Sequence, residues 1–129
     1  MEKKKFITLD DLEVYRLAHE LSVIAWEIYR KLTWEGKKAG GDQFIDSTDS
    51  VGANIAEGYS RFHYLDKIKF YYNSRGSLSE ASHHWLELLF ERGFATKKSY
   101  EAYRITADKL SLKLNNFIKT TYDSKSREK

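Results

Sequence analysis

The sequence predicts an all-α protein, an antiparallel up-down-up-down four-helix bundle, and three observations carry that prediction. The 129 residues contain no proline and no cysteine, so nothing interrupts long helices and no disulfide holds the fold. Apolar residues recur at steps of three and four through four separate segments, the period of a helix with one buried face. The segments are joined by short, glycine-marked connections, which turn neighbouring helices antiparallel.

Thr8 followed three residues later by Asp11 resembles a capping box and opens helix one, read as residues 9–33. Val14, Ala18, Leu21, Ala25, Ile28 and Leu32 form its stripe, widened by Leu17, Ile24 and Tyr29. Trp34 to Gly41, with three glycines, reads as a loop. Helix two spans 42–58, and a short connection from Gly58 to Tyr64 follows. In helix three Leu65, Ile68, Tyr72, Arg75, Ser79, Ser82, Leu86 and Leu89 keep the repeat beside a second stripe of Tyr71, Leu78, Trp85 and Leu88. Gly93 is placed as the residue that ends helix three and Thr96 as the N-cap of helix four, whose buried side is Tyr100, Tyr103, Ala107, Leu110, Leu114, Phe117 and Thr121.

One domain of residues 9–122 accounts for the length, with a basic N-terminal tail (1–8) and a disordered C-terminal tail (123–129) that has nothing to bury. No run is long and apolar enough to serve as a signal peptide or membrane span, so the expectation is a cytoplasmic protein without a membrane partner. The net charge of +3 resides in the tails: residues 6–122 hold sixteen basic and sixteen acidic side chains. On that balance the folded part has no net field to draw phosphates, and only Arg61 to Arg75 is locally basic. Nineteen aromatic residues exceed what one such core holds, and Tyr15, Trp26, Tyr29, Tyr64, Tyr71 and Trp85 cannot all point inward. The surplus points to a subunit interface.

Around Ser50 to Gly58 the packing is the most constrained. Phe44, Thr48, Val51, Ile55 and Tyr59 share one helix face, with Gly52 and Ala56 as a small-residue pair beside it. A glycine inside a helix costs about 1 kcal/mol against alanine, so Gly52, and Gly76 in the next helix, are expected where another backbone comes close. Asn54 and Glu57 fall on the flank, placed to bond a neighbouring helix end. Glu57 lacks a second titrating partner within a turn, which argues against acid–base chemistry.

The remaining chemical candidates are thin. Glu80-Ala-Ser-His83 has the Glu-x-x-His spacing of di-iron bundles, but those need two copies and two further glutamates. His83 and His84 point about 100° apart on a helix and share no metal face. No nucleophile elbow, Ser-x-x-Lys pair or phosphate-binding glycine loop occurs. The reading is therefore no catalytic residue, no metal, no cofactor and no small-molecule substrate. Arg61, Lys67, Lys69 and Arg75, interleaved with Phe62, Tyr64, Phe70, Tyr71 and Tyr72, have the pattern of a single-strand nucleic-acid surface. Assigning Ile68 and Tyr72 to the core stripe favours an ordinary amphipathic helix instead.

Three motifs in order carry a family resemblance: Asp11-Leu-Glu-Val-Tyr15 with Ala18, Ser50-Val-Gly-Ala-Asn-Ile-Ala-Glu-Gly58, and Arg75-Gly-Ser-Leu-Ser-Glu80. Over about residues 10–120 the chain resembles the four-helix bundle family named for 23S rRNA intervening sequences and, more distantly, accessory proteins of diversity-generating retroelements. The resemblance implies a ring-like homopentamer without catalytic activity, with RNA or a nucleoprotein as suspected partner. It makes Ser50, Gly52, Asn54, Ala56, Glu57, Gly58, Gly76, Ser77 and Glu80 structural motif positions. That family often has proline where Gly52 stands, and two arginines early in helix two where this chain has Ile45 and Asp46. The functional expectation is a non-enzymatic homo-oligomeric binding or scaffolding module, with an RNA-binding accessory protein as the alternative.

Overall fold

A computed structural model describes residues 7–125, and everything in it is helix, turn or short connection. The four long helices are α1 (Glu13–Tyr29), α2 (Asp42–Ser60), α3 and α4 (Lys97–Lys125). α3 is composite: it begins as Tyr64–Ser79, continues as a π-helical segment Glu80–Trp85 and finishes as Leu86–Glu91. Each helix packs against the two beside it, α1 on α2, α2 on α3, α3 on α4 and α4 back on α1. With connections this short, that square is the up-down-up-down bundle.

The core is the one the periodicity describes for three of the helices. Val14, Leu17, Ala18, Leu21, Ala25 and Ile28 of α1 meet Phe44, Thr48, Val51 and Ile55 of α2 and Tyr103, Ala107, Leu110 and Leu114 of α4. Two buried hydroxyls are satisfied inside it. Thr48 Oγ1 and the Tyr103 hydroxyl share a hydrogen bond of 2.8 Å, and Ser74 Oγ donates to Val51 O at 2.8 Å, tying α3 to α2. Burial pushes the Tyr71 and Tyr103 phenols well above the ordinary tyrosine value, with the Thr48 bond acting in the other direction on Tyr103.

Helix one is shorter than expected. Leu9–Asp11 is a separate 3₁₀ turn, and Leu12, extended at φ −75° and ψ 119°, separates it from α1. Thr8 and Asp11 do not form a capping box on α1; the Thr8 hydroxyl donates to the Asp11 carboxylate at 2.9 Å and closes that turn. At the other end α1 stops at Tyr29, while Leu32 stays buried from the connection. Nor is Trp34 to Gly41 an open loop. Thr33 Oγ1 caps a helical turn, Trp34–Gly36, by accepting from Gly36 N at 3.1 Å, and Lys37–Gly41 winds on into α2. Gly40, at φ 150°, makes the reversal that a side chain would oppose.

Further along, Gly93 at φ +79° ends α3 and Thr96 Oγ1 accepts from Ser99 N at 3.1 Å, as the sequence indicates. α4 continues through Lys125, past the Tyr122 chosen as the domain end; residues 1–6 and 126–129 of the two tails lie outside the described residues.

The largest departure is the phase of α3. Its first stripe is buried only at Ile68 and from Ser82 onward; Leu65, Tyr72, Arg75 and Ser79 face solvent, and Ile68, Tyr71, Ser74 and Leu78 face the core. The π-helical segment is the cause. Its wider turn lets the helix absorb residues without breaking, so Ala81, Ser82, Leu86 and Leu89 arrive on the buried side after Leu78.

Candidate functional surfaces

The motif residues of α2 act locally. Ser50 Oγ donates to Asp46 O at 2.8 Å and Asn54 Nδ2 donates to Ser50 O at 2.8 Å, so Asn54 serves its own helix and not a neighbouring helix end. Glu57 pairs with Arg61 at 3.1 Å on the surface, and Ala56 is half-buried. Gly58 is where space is short: a Cβ there would lie 2.7 Å from Tyr71 Cε1 and 2.9 Å from Phe70 Cβ. Gly52 faces Ala18 of α1, but an added Cβ would sit at an ordinary 3.5 Å. Around Gly76 a Cβ would meet nothing within 4 Å, so no backbone of this chain requires that glycine. Ser77 is half-buried beside it.

Glu80 and His83 are held by different partners. Glu80 Oε2 accepts from Trp85 Nε1 at 2.8 Å, while Arg104 of α4 lies 3.1 Å from His83 Nδ1 and also binds Ser82 O and Glu87. The pair does not converge on one point, and among the described residues no three His, Cys, Asp or Glu side chains are grouped to hold a metal. A cleft of about 570 Å³ runs between α3 and α4, lined by Tyr72, Arg75, Gly76, His83, Asp108 and Ser111 among others. Arg75, Gly76, Leu78 and Ser79 of the third motif line it.

Basic residues from Arg61 to Arg75 are largely engaged. Arg61, besides Glu57, stands over the Phe70 ring at 4.8 Å. Lys67 Nζ donates to Tyr59 O at 3.0 Å and caps the end of α2. Arg75 lies 4.7 Å over the Tyr72 ring and donates to Asn115 Oδ1 at 3.2 Å; Lys69 is exposed. Tyr72 is itself exposed and bonds Tyr122, so the assignment of Tyr72 to the core stripe does not hold.

Apolar side chains outside the core include Phe62 and Leu65 around the start of α3, Trp34, and two surfaces on α1–α2 and α4. Between α1 and α2 a groove lined by Val23, Trp26 and Ile45 continues along Tyr15, Ala18, Gly52 and Ala53. On α4, Ile105 and Leu112 are seven residues apart, 71% and 62% exposed, on the face turned away from buried Tyr103, Ala107, Leu110 and Leu114.

The model of the 23S rRNA-intervening sequence protein family matches residues 10–116, nearly the whole bundle and all three motifs. The chain belongs to that family. A crystal structure of a protein with unknown function from the S23 ribosomal protein family of Bacteroides thetaiotaomicron is similar to it, with 26% identity, a TM-score of 0.77, and coverage of 87% of this chain and 99% of the other. No curated protein matches the chain. Among the described residues no helix is long and apolar enough to cross a membrane. Sequence reasoning missed the exposed α4 ridge and the α3–α4 cleft. Ile105 and Leu112 fall between the positions of the α4 stripe, and that misfit was the available signal for the ridge.

Proposed function

We propose that this family member is a non-enzymatic homo-oligomer, a ring-like pentamer, that serves as a binding or scaffolding module. The observation that carries the reading is the pair of unlike apolar surfaces, a groove with Trp26 on the α1–α2 side and a ridge with Ile105 and Leu112 on α4. A two-fold dimer buries one patch against itself, whereas two different patches suit head-to-tail contacts that close into a ring. The five-fold number comes from the family resemblance. The absence of an enzymatic role rests on the separation of Glu80 from His83 and on Glu57 being held by Arg61.

Size-exclusion chromatography with multi-angle light scattering tests it. The expected mass is five times the 15.2 kDa protomer. Trp26→Lys and Ile105→Lys/Leu112→Lys, each placing a charge at a surface exposed in the single chain, are expected to shift the mass to the protomer while leaving the helical circular dichroism unchanged. A wild-type monomer at tens of micromolar would overturn the proposal.

A further inference from the structure

Charge on the bundle is balanced in sum but not in space. The α1–α2 and α3–α4 connections meet at one end, where Arg92 Nη1 of the second donates to Ala39 O of the first at 2.6 Å and Phe94 abuts Gly36. Residues 30–41 carry Arg30, Lys31, Lys37 and Lys38 against Glu35; residues 91–98 carry Arg92, Lys97 and Lys98 against Glu91. These two connections sum to +5; with Glu27 and Glu101, which pair with Arg30 and Lys97, and with Asp42 at the start of α2, this end of the bundle is +2 and the rest of residues 6–122 is −2. The folded part still has no net charge, but its charge is uneven in space, and this end of the bundle carries a local excess that attracts phosphates.

Part of this arrangement serves the fold: besides the Arg92 bond, Arg30 pairs with Glu27, Lys97 with Glu101, and Lys37 lies 4.9 Å over the Tyr29 ring. Among the described residues Lys31, Lys37, Lys38 and Lys98 enter no ion pair, and Lys97 and Lys98 occupy the first turn of α4, where cations are disfavoured. In the middle of the tip stands Trp34, 75% exposed, raised on the turn that Thr33 caps, with Lys38 Nζ 5.8 Å from its ring centroid. A large flat ring in water, with one lysine beside it and further lysines in the same two connections, is the combination on which single-stranded bases stack while phosphates meet lysine. An anionic lipid surface would call for further exposed aliphatic or aromatic side chains around the tryptophan. Within residues 30–41 and 91–98, Trp34 is the sole large hydrophobic group so exposed.

We infer that the Trp34 tip is a binding site for single-stranded nucleic acid, at the end of the bundle opposite Arg61 and Lys67 and independent of the proposed oligomer. The bound strand stacks a base on Trp34 and places its phosphates on Lys31, Lys37, Lys38 and Lys98.

Fluorescence anisotropy of a labelled 15-nucleotide oligouridylate at low salt tests it, with oligothymidylate, a duplex of equal length and anionic phosphatidylglycerol vesicles as parallel arms. Binding is expected to weaken with salt with a log–log slope of about −3, from roughly four phosphates neutralised on a single strand. Trp34→Ala should weaken it by about fivefold or more, Trp34→Phe should restore most of the loss, and Lys37→Ala/Lys38→Ala should flatten the salt slope. Lys67→Ala/Lys69→Ala should leave binding unchanged. All these side chains are at least partly exposed, and circular dichroism verifies folding. The site is overturned by absent binding at low salt, by indifference to Trp34→Ala, by equal binding of duplex, or by vesicles binding in place of the oligonucleotides.

Discussion

Gly58 and Gly52 lie six residues apart on the same helix, yet their surroundings predict opposite responses to a methyl group. At Gly58 the new Cβ would press on the buried Tyr71 ring and on Phe70 at its Cβ, next to the backbone, and Gly58→Ala is expected to destabilise by about 1–3 kcal/mol. At Gly52 the Cβ meets Ala18 at contact distance, so Gly52→Ala should raise stability by about 0.4–1 kcal/mol through the unfolded chain. Urea denaturation of both variants distinguishes them; a loss at Gly52 would mean that something outside the single chain crowds that position. The Thr48–Tyr103 bond gives a second residue-scale test. Tyr103→Phe or Thr48→Val alone should each cost about 1 kcal/mol, and the double variant less than their sum. Tyr71 and Tyr103 also set an alkaline limit. Their folded pKa values lie above the ordinary value of about 10, so their contribution is complete below pH 10 and is lost as the pH rises beyond it. Titration of tyrosine absorbance should show two phenols that ionise only as the helical signal disappears.

At the scale of elements, α1, α2 and α4 were legible because each keeps one apolar period from end to end. Val14 to Ile28, Phe44 to Ile55 and Tyr103 to Leu114 are buried where their spacing places them. α3 was legible as a helix but not in phase. A stripe drawn at constant period through Leu65, Tyr72 and Leu89 passes over a change of winding that leaves no composition mark, since Glu80-Ala-Ser-His-His-Trp85 would suit an ordinary helix. Deleting exposed His84 removes the one extra residue that a π turn holds, so the segment is expected to turn α-helical with Leu86 and Leu89 still facing the core and little loss of stability. His84→Ala should be near neutral, and thermal unfolding followed by circular dichroism compares the two. The connection from Trp34 to Gly41 was misread for a different reason: three glycines signal freedom, and here only Gly40 uses it, while Gly36 and Gly41 provide room for Phe94 and Leu32. Among the site residues, proximity in sequence disclosed Glu57 with Arg61, but nothing local announced Arg104 reaching across to His83 and Glu87.

Whole-molecule properties were the least legible, because they depend on which chain segments meet. Charge summed along residues 6–122 cancels; charge at the tip does not, since two connections that meet at Ala39 and Arg92, 53 residues apart in sequence, bring their lysines together. The apolar groove and ridge likewise become two separate faces only once α1, α2 and α4 are placed around the core. If the ring forms, its association should survive added salt, because Trp26, Ile105 and Leu112 are apolar, while capture of oligonucleotide at the tip should not. Light scattering at 50 mM and at 500 mM sodium chloride, with and without oligouridylate, is expected to leave the protein mass unchanged and remove the bound strand.

The tip at Trp34 lies about 28 Å, the length of α2, from the end of the bundle that carries Arg61, Lys67 and Lys69. That is about three screening lengths at physiological salt, so a polyanion near one end feels little of the other, and its approach to Trp34 is governed by the cations around that tip alone. Their pull would reach further as salt is removed.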